Sequence, residues 1–217
     1  MKESAKTFLH GTRQAVTVTV SLMLLCGLLF PCLLTGLSGL LFPNQAGGNL
    51  MTVNGQTVGA KYVGQEFTED YYMWSRPSAY HYNIYTEDEN GKKYYPDGTE
   101  FPGIGSGSQN FAPSNPALTE RVEADIESFL EKNPEVKRED IPTDLLTASG
   151  SGLDPHISPE SAEVQIPRIV EASGLSEDTV RDIVKNNTEG KFLGIFGEET
   201  VNVLMVNIEI AQNMDLI

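Results

Sequence analysis

From Ala15 to Leu34 the chain runs through 20 positions without a charged side chain, and no Asp, Glu, Lys, Arg or His occurs between Arg13 and Lys61. A helix needs about 20 apolar residues to cross the hydrocarbon core of a bilayer. The polar side chains inside the stretch are Thr17, Thr19 and Ser21, whose hydroxyls can bond back to the helix's own carbonyls. Pro31 is tolerated in a membrane helix where the freed carbonyl is satisfied again nearby. The pattern predicts one transmembrane helix, its apolar surface continuing through Leu40, Leu41 and Phe42 to a stop at Pro43. A cleaved signal peptide shares the order of basic segment and apolar run, but its apolar region usually spans only about 7–15 residues. A lipoprotein site at Cys26 or Cys32 would need a small residue where Leu25 and Pro31 stand. Lys2, Lys6 and Arg13 against a lone Glu3 place the N-terminus in the cytoplasm, because positive flanks stay inside. Everything after Phe42 is then expected outside it.

Beyond the helix the pattern alternates between turn-rich and periodic segments. Asn54-Gly55 between two short β-prone runs marks a tight hairpin, since both central residues need positive φ. An aromatic cluster, Tyr71-Tyr72-Met73-Trp74, precedes the turn-rich Ser75–Tyr80. Thr86 to Phe101 is polar and carries Asn90-Gly91 and Asp97-Gly98, which predicts an exposed hairpin. Pro102 to Pro116 reads as an ordered loop or linker. Asn115 and Pro116 are an N-cap and first helical residue. Leu118, Val122, Ile126, Phe129 and Leu130 then share one helical face up to Asn133-Pro134. Ser158-Pro159 opens a second helix that Pro167 must bend or break, and Ser173-Gly174 closes it. Ser176 starts a third, with Val180, Ile183 and Val184 inward. Val201 to Ile208, with little alternation, reads as a strand buried on both faces. The fold class is a mixed α/β extracytoplasmic domain anchored by one N-terminal transmembrane helix. Its divisions are a cytoplasmic arm (1–14), the helix and its extension (15–42) and the domain (43–217).

Charge sharpens this picture. The 217 residues include 15 Lys+Arg and 30 Asp+Glu, a net charge of −15. The N-terminal arm is net positive, so the acidity belongs to the remainder. Such a surface repels nucleic acid phosphates and suits either simple solubility or a basic or cation-gathering partner. Both cysteines lie in the apolar stretch, so the domain holds together without disulfides.

Candidate chemistry is sparse. Asp144 to Pro159 contains Ser149, Ser151, Asp154 and His156, the residue types of a hydrolytic triad. No Gly-x-Ser-x-Gly elbow accompanies them, and Ser149-Gly-Ser-Gly is better explained as a turn and Asp154-Pro155 as turn initiation. Gly103 to Gln109 is rich enough in glycine to cradle a phosphate through its amides. It lacks the Lys-Ser/Thr ending of a P-loop and the last glycine of a dinucleotide fingerprint. Three histidines in the whole chain and no cysteine outside the apolar stretch leave no transition-metal site to propose.

Several stretches in order resemble the C subunit of the Kdp-type potassium-transporting P-type ATPase. They are Thr35-Gly-Leu37, Leu41-Phe-Pro-Asn-Gln-Ala46, Gly64-Gln-Glu-Phe67, Trp74-Ser-Arg-Pro-Ser-Ala79 and Pro113-Ser-Asn-Pro116. The Asp144–Pro159 block, Gly197, Val201-Asn-Val-Leu204 and Asn207 complete the set. The resemblance implies an accessory subunit without chemistry of its own, in a pump that also has a potassium-binding channel-like subunit and an ATP-hydrolysing subunit. The phosphorylated Asp-Lys-Thr-Gly motif of P-type pumps is absent from this sequence. The family's C subunit is described as needed for assembly and as a catalytic chaperone that raises ATP affinity. A nucleotide-contacting role is implied for the loop spelled here Ser106, Gly107, Ser108, Gln109, Asn110, although the family's own spelling, Ser-Gly-Gly-Ser-Asn, differs. The segment 81–103 looks longer than the family usually carries and reads as an insertion.

Assembly or structural roles are expected for Arg76, Pro77, Ser78, Asn115, Pro116, Ser149, Asp154, Pro155 and His156. The partners implied are the two other pump subunits and membrane lipid, with no nucleic acid. No firmly bound cofactor is expected, and ATP enters only through the partner subunit. The alternative of another class is a membrane-anchored extracytoplasmic hydrolase using Ser149, Asp154 and His156.

Overall fold

The computed structural model describes residues 2–217, with side chains described from His10 onward. It divides after Asn49 into two compact units. In the first, α1 (Lys2–Leu24) and α2 (Phe30–Leu41) are joined without a break by a π-helical turn over Leu25–Leu29. Pro31 is the cause. It has no N–H to donate, and its ring crowds the carbonyl four residues back. Widening the preceding turn, where the Phe30 N–H bonds to the Leu25 carbonyl, relieves the crowding while keeping the helix continuous.

The helical run His10–Leu41 is 32 residues long and apolar enough to cross a membrane. At 1.5 Å per residue it reaches roughly 48 Å, well beyond a hydrocarbon core of about 30 Å. Thr17 Oγ1 donates to the Arg13 carbonyl at 2.8 Å, the back-bonding expected of a hydroxyl in an apolar helix. The side chains of Lys2, Glu3 and Lys6, on which the charge-bias argument turns, lie outside the described residues. A one-turn helix, α3 (Pro43–Ala46), follows.

The second unit opens with an antiparallel hairpin, β1 (Leu50–Val53) and β2 (Gln56–Ala60). Its turn residues Asn54 and Gly55 have φ of 50° and 80°. A smaller hairpin, β3 (Thr86–Glu87) with β4 (Lys93–Tyr94), occupies the 81–103 segment. Tyr85 stacks on Phe101 at 4.7 Å between centroids, and Tyr95 meets Phe101 edge-on at 5.1 Å. This segment therefore holds itself with its own aromatic cluster. α4 (Pro116–Lys132) is capped by Asn115, whose side chain accepts the Ala117 N–H at 3.0 Å. Ile126 and Phe129 on its inner face pack with Ile141 and Leu145.

The main core lies around an antiparallel sheet of β5 (His156–Ile157), β7 (Thr200–Asn202) and β6 (Thr188–Glu189), with β7 central. α5 (Pro159–Glu163), α6 (Ile166–Ser173), α7 (Glu177–Asn186) and α8 (Val203–Asn213) surround it. Pro167 does break the predicted second helix, sitting in the first turn of α6. Gly174 ends α6 at φ 72°. Ile166, Ile169, Val180, Val201, Val206 and Ile210 form the interior with Met73.

One expectation fails. The run 201–208 is not a strand: β7 ends at Asn202 and α8 takes over. Asn202 makes the switch, accepting the Met205 N–H at 3.1 Å as the helix N-cap. α8 is buried on most of its faces, and a continuous apolar run has the same appearance in a buried helix as in a buried strand.

A stretch without a strand partner crosses this core. The Met73 N–H donates to Asn207 Oδ1 at 2.7 Å, and the Asn207 amide returns a bond to the Met73 carbonyl at 2.9 Å. Gln165 does the same for Trp74, at 2.8 and 3.3 Å. Two side-chain amides thus stand in for a neighbouring strand. Removing one leaves two buried backbone groups unpaired, at about 1–3 kcal/mol each. The Asn207→Leu chain should therefore unfold with a stability loss of about 2–6 kcal/mol, measured by urea denaturation of the detergent-solubilised protein. A loss under about 0.5 kcal/mol would show that the amide is dispensable.

Candidate functional site

The segments singled out by sequence meet in the second unit as a clasp of loops. Arg76 is its rivet. Its guanidinium pairs with Asp154 Oδ2 at 2.9 Å and donates to the Thr147 carbonyl at 3.3–3.4 Å. Ser78 Oγ donates to the Gly152 carbonyl at 2.7 Å and accepts the N–H groups of Tyr80 and Tyr82. The Tyr82 hydroxyl donates to the Arg76 carbonyl at 2.8 Å, and burial pushes its pKa up to about 12. His81, Tyr82 and Asn83 all take positive φ, a strained turn that the surrounding contacts must hold in place.

The Asp154-Pro155-His156 block forms the opposite jaw. Asp154 Oδ1 accepts the His156 N–H at 3.0 Å and lies 3.6 Å from His156 Nδ1. Burial pushes the Asp154 pKa up, but hydrogen bonds from His156 and the charge of Arg76 outweigh it and hold the carboxyl below the usual range. The buried Pro155 presents its carbonyl to the N–H of Val203 at 3.0 Å. His156 continues into β5, its ring nitrogen Nε2 3.4 Å from the Asn202 amide.

Two glycines show how tightly the jaws close. A Cβ at Gly64, whose N–H bonds to the Leu153 carbonyl, would come within 2.5 Å of the Asp154 carbonyl oxygen. Gly152, at φ 65°, has the Gly107 carbonyl where its Cβ would go.

The 106–110 loop is part of this clasp. The Gly107 N–H and the Ser106 hydroxyl both donate to the Ser151 carbonyl, at 2.7 and 2.9 Å. Ser108 bonds to the Asn110 side chain. Donors that a phosphate cradle would aim outward are thus turned onto the neighbouring loop. A cleft of about 560 Å³ opens beside the clasp, its wall including Arg76, Pro77, Ser78, Gln109 and Trp74. Asn115 and Pro116 are placed apart from these contacts in their role at the start of α4.

The triad types do not converge. Ser149 is 7 % exposed, and its hydroxyl accepts the Gly152 N–H at 2.9 Å and lies 3.3 Å from Ser151 Oγ. No Ser149–His156 hydrogen bond is found among the described residues, and Asp154 is committed to Arg76. The arrangement is that of a braced turn.

The family described as KdpC: K+-transporting ATPase, c chain, matches residues 12–212. The chain belongs to that family. It is 53 % identical over 210 residues to the potassium-transporting ATPase KdpC subunit of Clostridium kluyveri, covering 97 % of each chain. The KdpC subunit of Clostridioides difficile strain 630 is 49 % identical over 94 % of this chain and 98 % of its own. That of Caldanaerobacter subterraneus subsp. tengcongensis is 43 % identical over 93 % and 95 %.

Sequence reading gave no role to several residues that build the clasp. Tyr82 and Gly64 brace it directly. Asp144 supports the Ser158 cap, accepting both its N–H at 2.7 Å and its hydroxyl at 3.0 Å. Gln165 and Arg168 left a readable trace, since they are polar positions on the same side of a helix as Ile166 and Ile169.

The Asp154 shift has a sign that can be tested. A carboxyl held low contributes stability above its unfolded pKa, and this is lost as pH falls through the folded value. The clasp should therefore persist on acidification past the ordinary aspartate value of 3.8. In Arg76→Gln, loosening should begin at higher pH. The lone tryptophan, Trp74, adjoins the clasp, and its emission against pH reports the midpoint. Coincident midpoints for the two proteins would contradict the assignment.

Proposed function

We propose that this chain is a non-catalytic accessory subunit of an ATP-driven potassium uptake pump, anchored in the cell membrane by His10–Leu41. The observation that carries the reading is the likeness to KdpC subunits over nearly the whole length of both chains. The N-terminus is cytoplasmic and the second unit extracytoplasmic, by the excess of Lys2, Lys6 and Arg13 over Glu3. The partners are the potassium-binding channel-like subunit and the ATP-hydrolysing subunit, and the task is to secure their assembly.

The anchor helix suits this role. Its large apolar side chains are exposed, Leu24 at 53 % and Leu33 at 59 %. Gly27, Thr35, Gly36 and Gly39 supply small residues of the kind that let membrane helices approach closely. The clasp around Arg76, Pro77, Ser78, Ser149, Asp154, Pro155 and His156 acts as a brace that shapes the surface offered to the partners.

Nucleotide is not contacted by the Ser106–Asn110 loop, whose Gly107 N–H and Ser106 hydroxyl are turned onto the Ser151 carbonyl and whose Ser108 hydroxyl is turned onto Asn110. An influence on ATP affinity is instead transmitted through the membrane by favouring one conformation of the pump. Linkage then demands a reciprocal effect of ATP on the binding of this subunit.

Protease added from the outer face of intact cells with a permeabilised outer boundary should digest the second unit and spare the N-terminal arm. Protection of the unit until the membrane is lysed would reverse the orientation. In calorimetric titration, the purified complete chain should take up no ATP at millimolar nucleotide. Saturable uptake abolished by replacing Ser106–Ser108 would defeat the indirect account.

A further inference from the structure

The loop between β6 and β7 folds into a small finger. Phe192 and Phe196 pair across it, the Phe192 N–H donating to the Phe196 carbonyl at 2.8 Å. Its tip carries Phe192, Leu193, Ile195 and Phe196, which are 72, 74, 75 and 62 % exposed. With an aromatic side chain offering about 150–250 Å², the two phenylalanines alone expose roughly 270 Å², and the smaller Leu193 and Ile195 extend the patch. The largest apolar patch on a monomeric protein is about 300–600 Å² and is often functional.

The finger is held in shape. Lys191 Nζ meets Glu198 Oε2 at 3.2 Å across its base. Leu193 sits at φ 54°, ahead of Gly194 at 73°. Left-handed backbone is unfavourable for leucine and common for glycine or asparagine. A turn shaped only for solvent has no need of leucine there, whereas a turn that presents an apolar side chain does.

Charge separates the two surfaces such a tip could enter. Segments that lie on membranes carry Lys and Arg toward the headgroups. Here the flanks are Glu189, Glu198 and Glu199, and the nearby cations are already paired, Lys61 with Glu189 at 3.0 Å and Lys191 with Glu198, which leaves the base of the finger net acidic. An acidic collar around an apolar tip complements an apolar pocket with a basic rim on a protein.

We propose that the 192–196 finger is a docking anchor that inserts into an apolar, basic-rimmed pocket on another subunit of the pump. The inference rests on the reading of this chain as a pump subunit and adds where it grips. A tip of this size supplies the apolar centre of one side of a standard interface, about 800 Å² per partner, and aromatic anchors in pockets are where binding energy concentrates.

The test uses the full chain co-expressed with the other pump subunits. Phe192→Ser/Phe196→Ser should reach the membrane in normal amount, yet its recovery with the purified pump should fall at least tenfold. Glu198→Lys/Glu199→Lys should reduce recovery about threefold, with the loss shrinking at low salt least and at high salt most. Recovery of the double serine variant equal to the native chain would overturn the proposal. Failure of the native chain itself to co-purify would instead sink the pump-subunit reading.

A second readout does not depend on the serine variant folding. Leu193→Cys, in a chain with Cys26→Ser and Cys32→Ser, is labelled with a polarity-sensitive dye. Blue-shifted emission that requires the other subunits and resists doxyl-lipid quenching supports docking on protein. Quenching by doxyl lipids in vesicles holding this chain alone would assign the tip to the bilayer and overturn the proposal. Energy transfer between two labelled copies, in the absence of other subunits, would assign it to self-association with the same consequence.

Discussion

The second unit depends on satisfying one stretch of backbone, residues 70–74, which leaves a turn and runs past the core with no strand beside it, Met73 fully buried and its neighbours partly so. Backbone N–H and C=O groups taken out of water must find partners. Asn207 and Gln165 meet those of Met73 and Trp74, and Arg168 completes the set. Only 6 % exposed, its guanidinium reaches four acceptors: the Asp70 and Tyr72 carbonyls, Asn133 Oδ1 and Gln165 Oε1. Its carbon centre lies 4.1 Å from the centroid of the Trp74 ring. Burial lowers its pKa to about 10 against the opposing charge of Asp70, which leaves it fully charged at neutral pH. A planar fork suits this junction in a way a lysine ammonium would not.

That junction also ties the two cores together. Asn133 closes α4, and Gln165 and Arg168 flank the start of α6, so the cluster under α4 and the one around the small sheet share a single polar seam. The clasp lies on the same stretch: Arg76 stands two residues after Trp74, and its pairing with Asp154 draws the 147–154 loop against the 76–83 turn. Core stability and the shape of the clasp are therefore coupled through consecutive residues of one segment. A buried, hydrogen-bonded network of this kind specifies one arrangement because any half-made alternative strands a charge.

The clasp explains why residues that look chemical serve structure. Serines 106, 149 and 151 stand among glycines, and Ser78 follows a proline, because short hydroxyl side chains can bond to nearby backbone groups within tight turns. Asp154 and His156 are adjacent because an Asx-type turn feeds β5, with the carboxylate caught between an N–H and a guanidinium. The same residue types that suggest a hydrolase are those that brace loops where regular structure is scarce. Sequence spacing does not separate the two uses, whereas the direction of each hydroxyl does.

Local rules settled a good part of this protein from its sequence. The uncharged run of 20 residues made one long apolar helix, because bilayer thickness and helix rise are fixed lengths. Asn54-Gly55, the caps at Asn115, Ser158 and Ser176, the break at Pro167 and the stop at Gly174 followed from φ preferences and from the orphan groups at helix ends. These are properties of a few consecutive residues, so a few consecutive residues reveal them. Tertiary structure alone decided the rest. Whether Val203–Ile210 became strand or helix turned on what surrounded it, since a segment buried on most faces loses the periodicity that distinguishes the two. That Asn207, Gln165 and Arg168 would serve as partners for residues 70–74 depended on contacts across 91 to 134 positions of chain. The pattern showed polar residues among apolar ones, but their directions exist only once the chain has closed on itself.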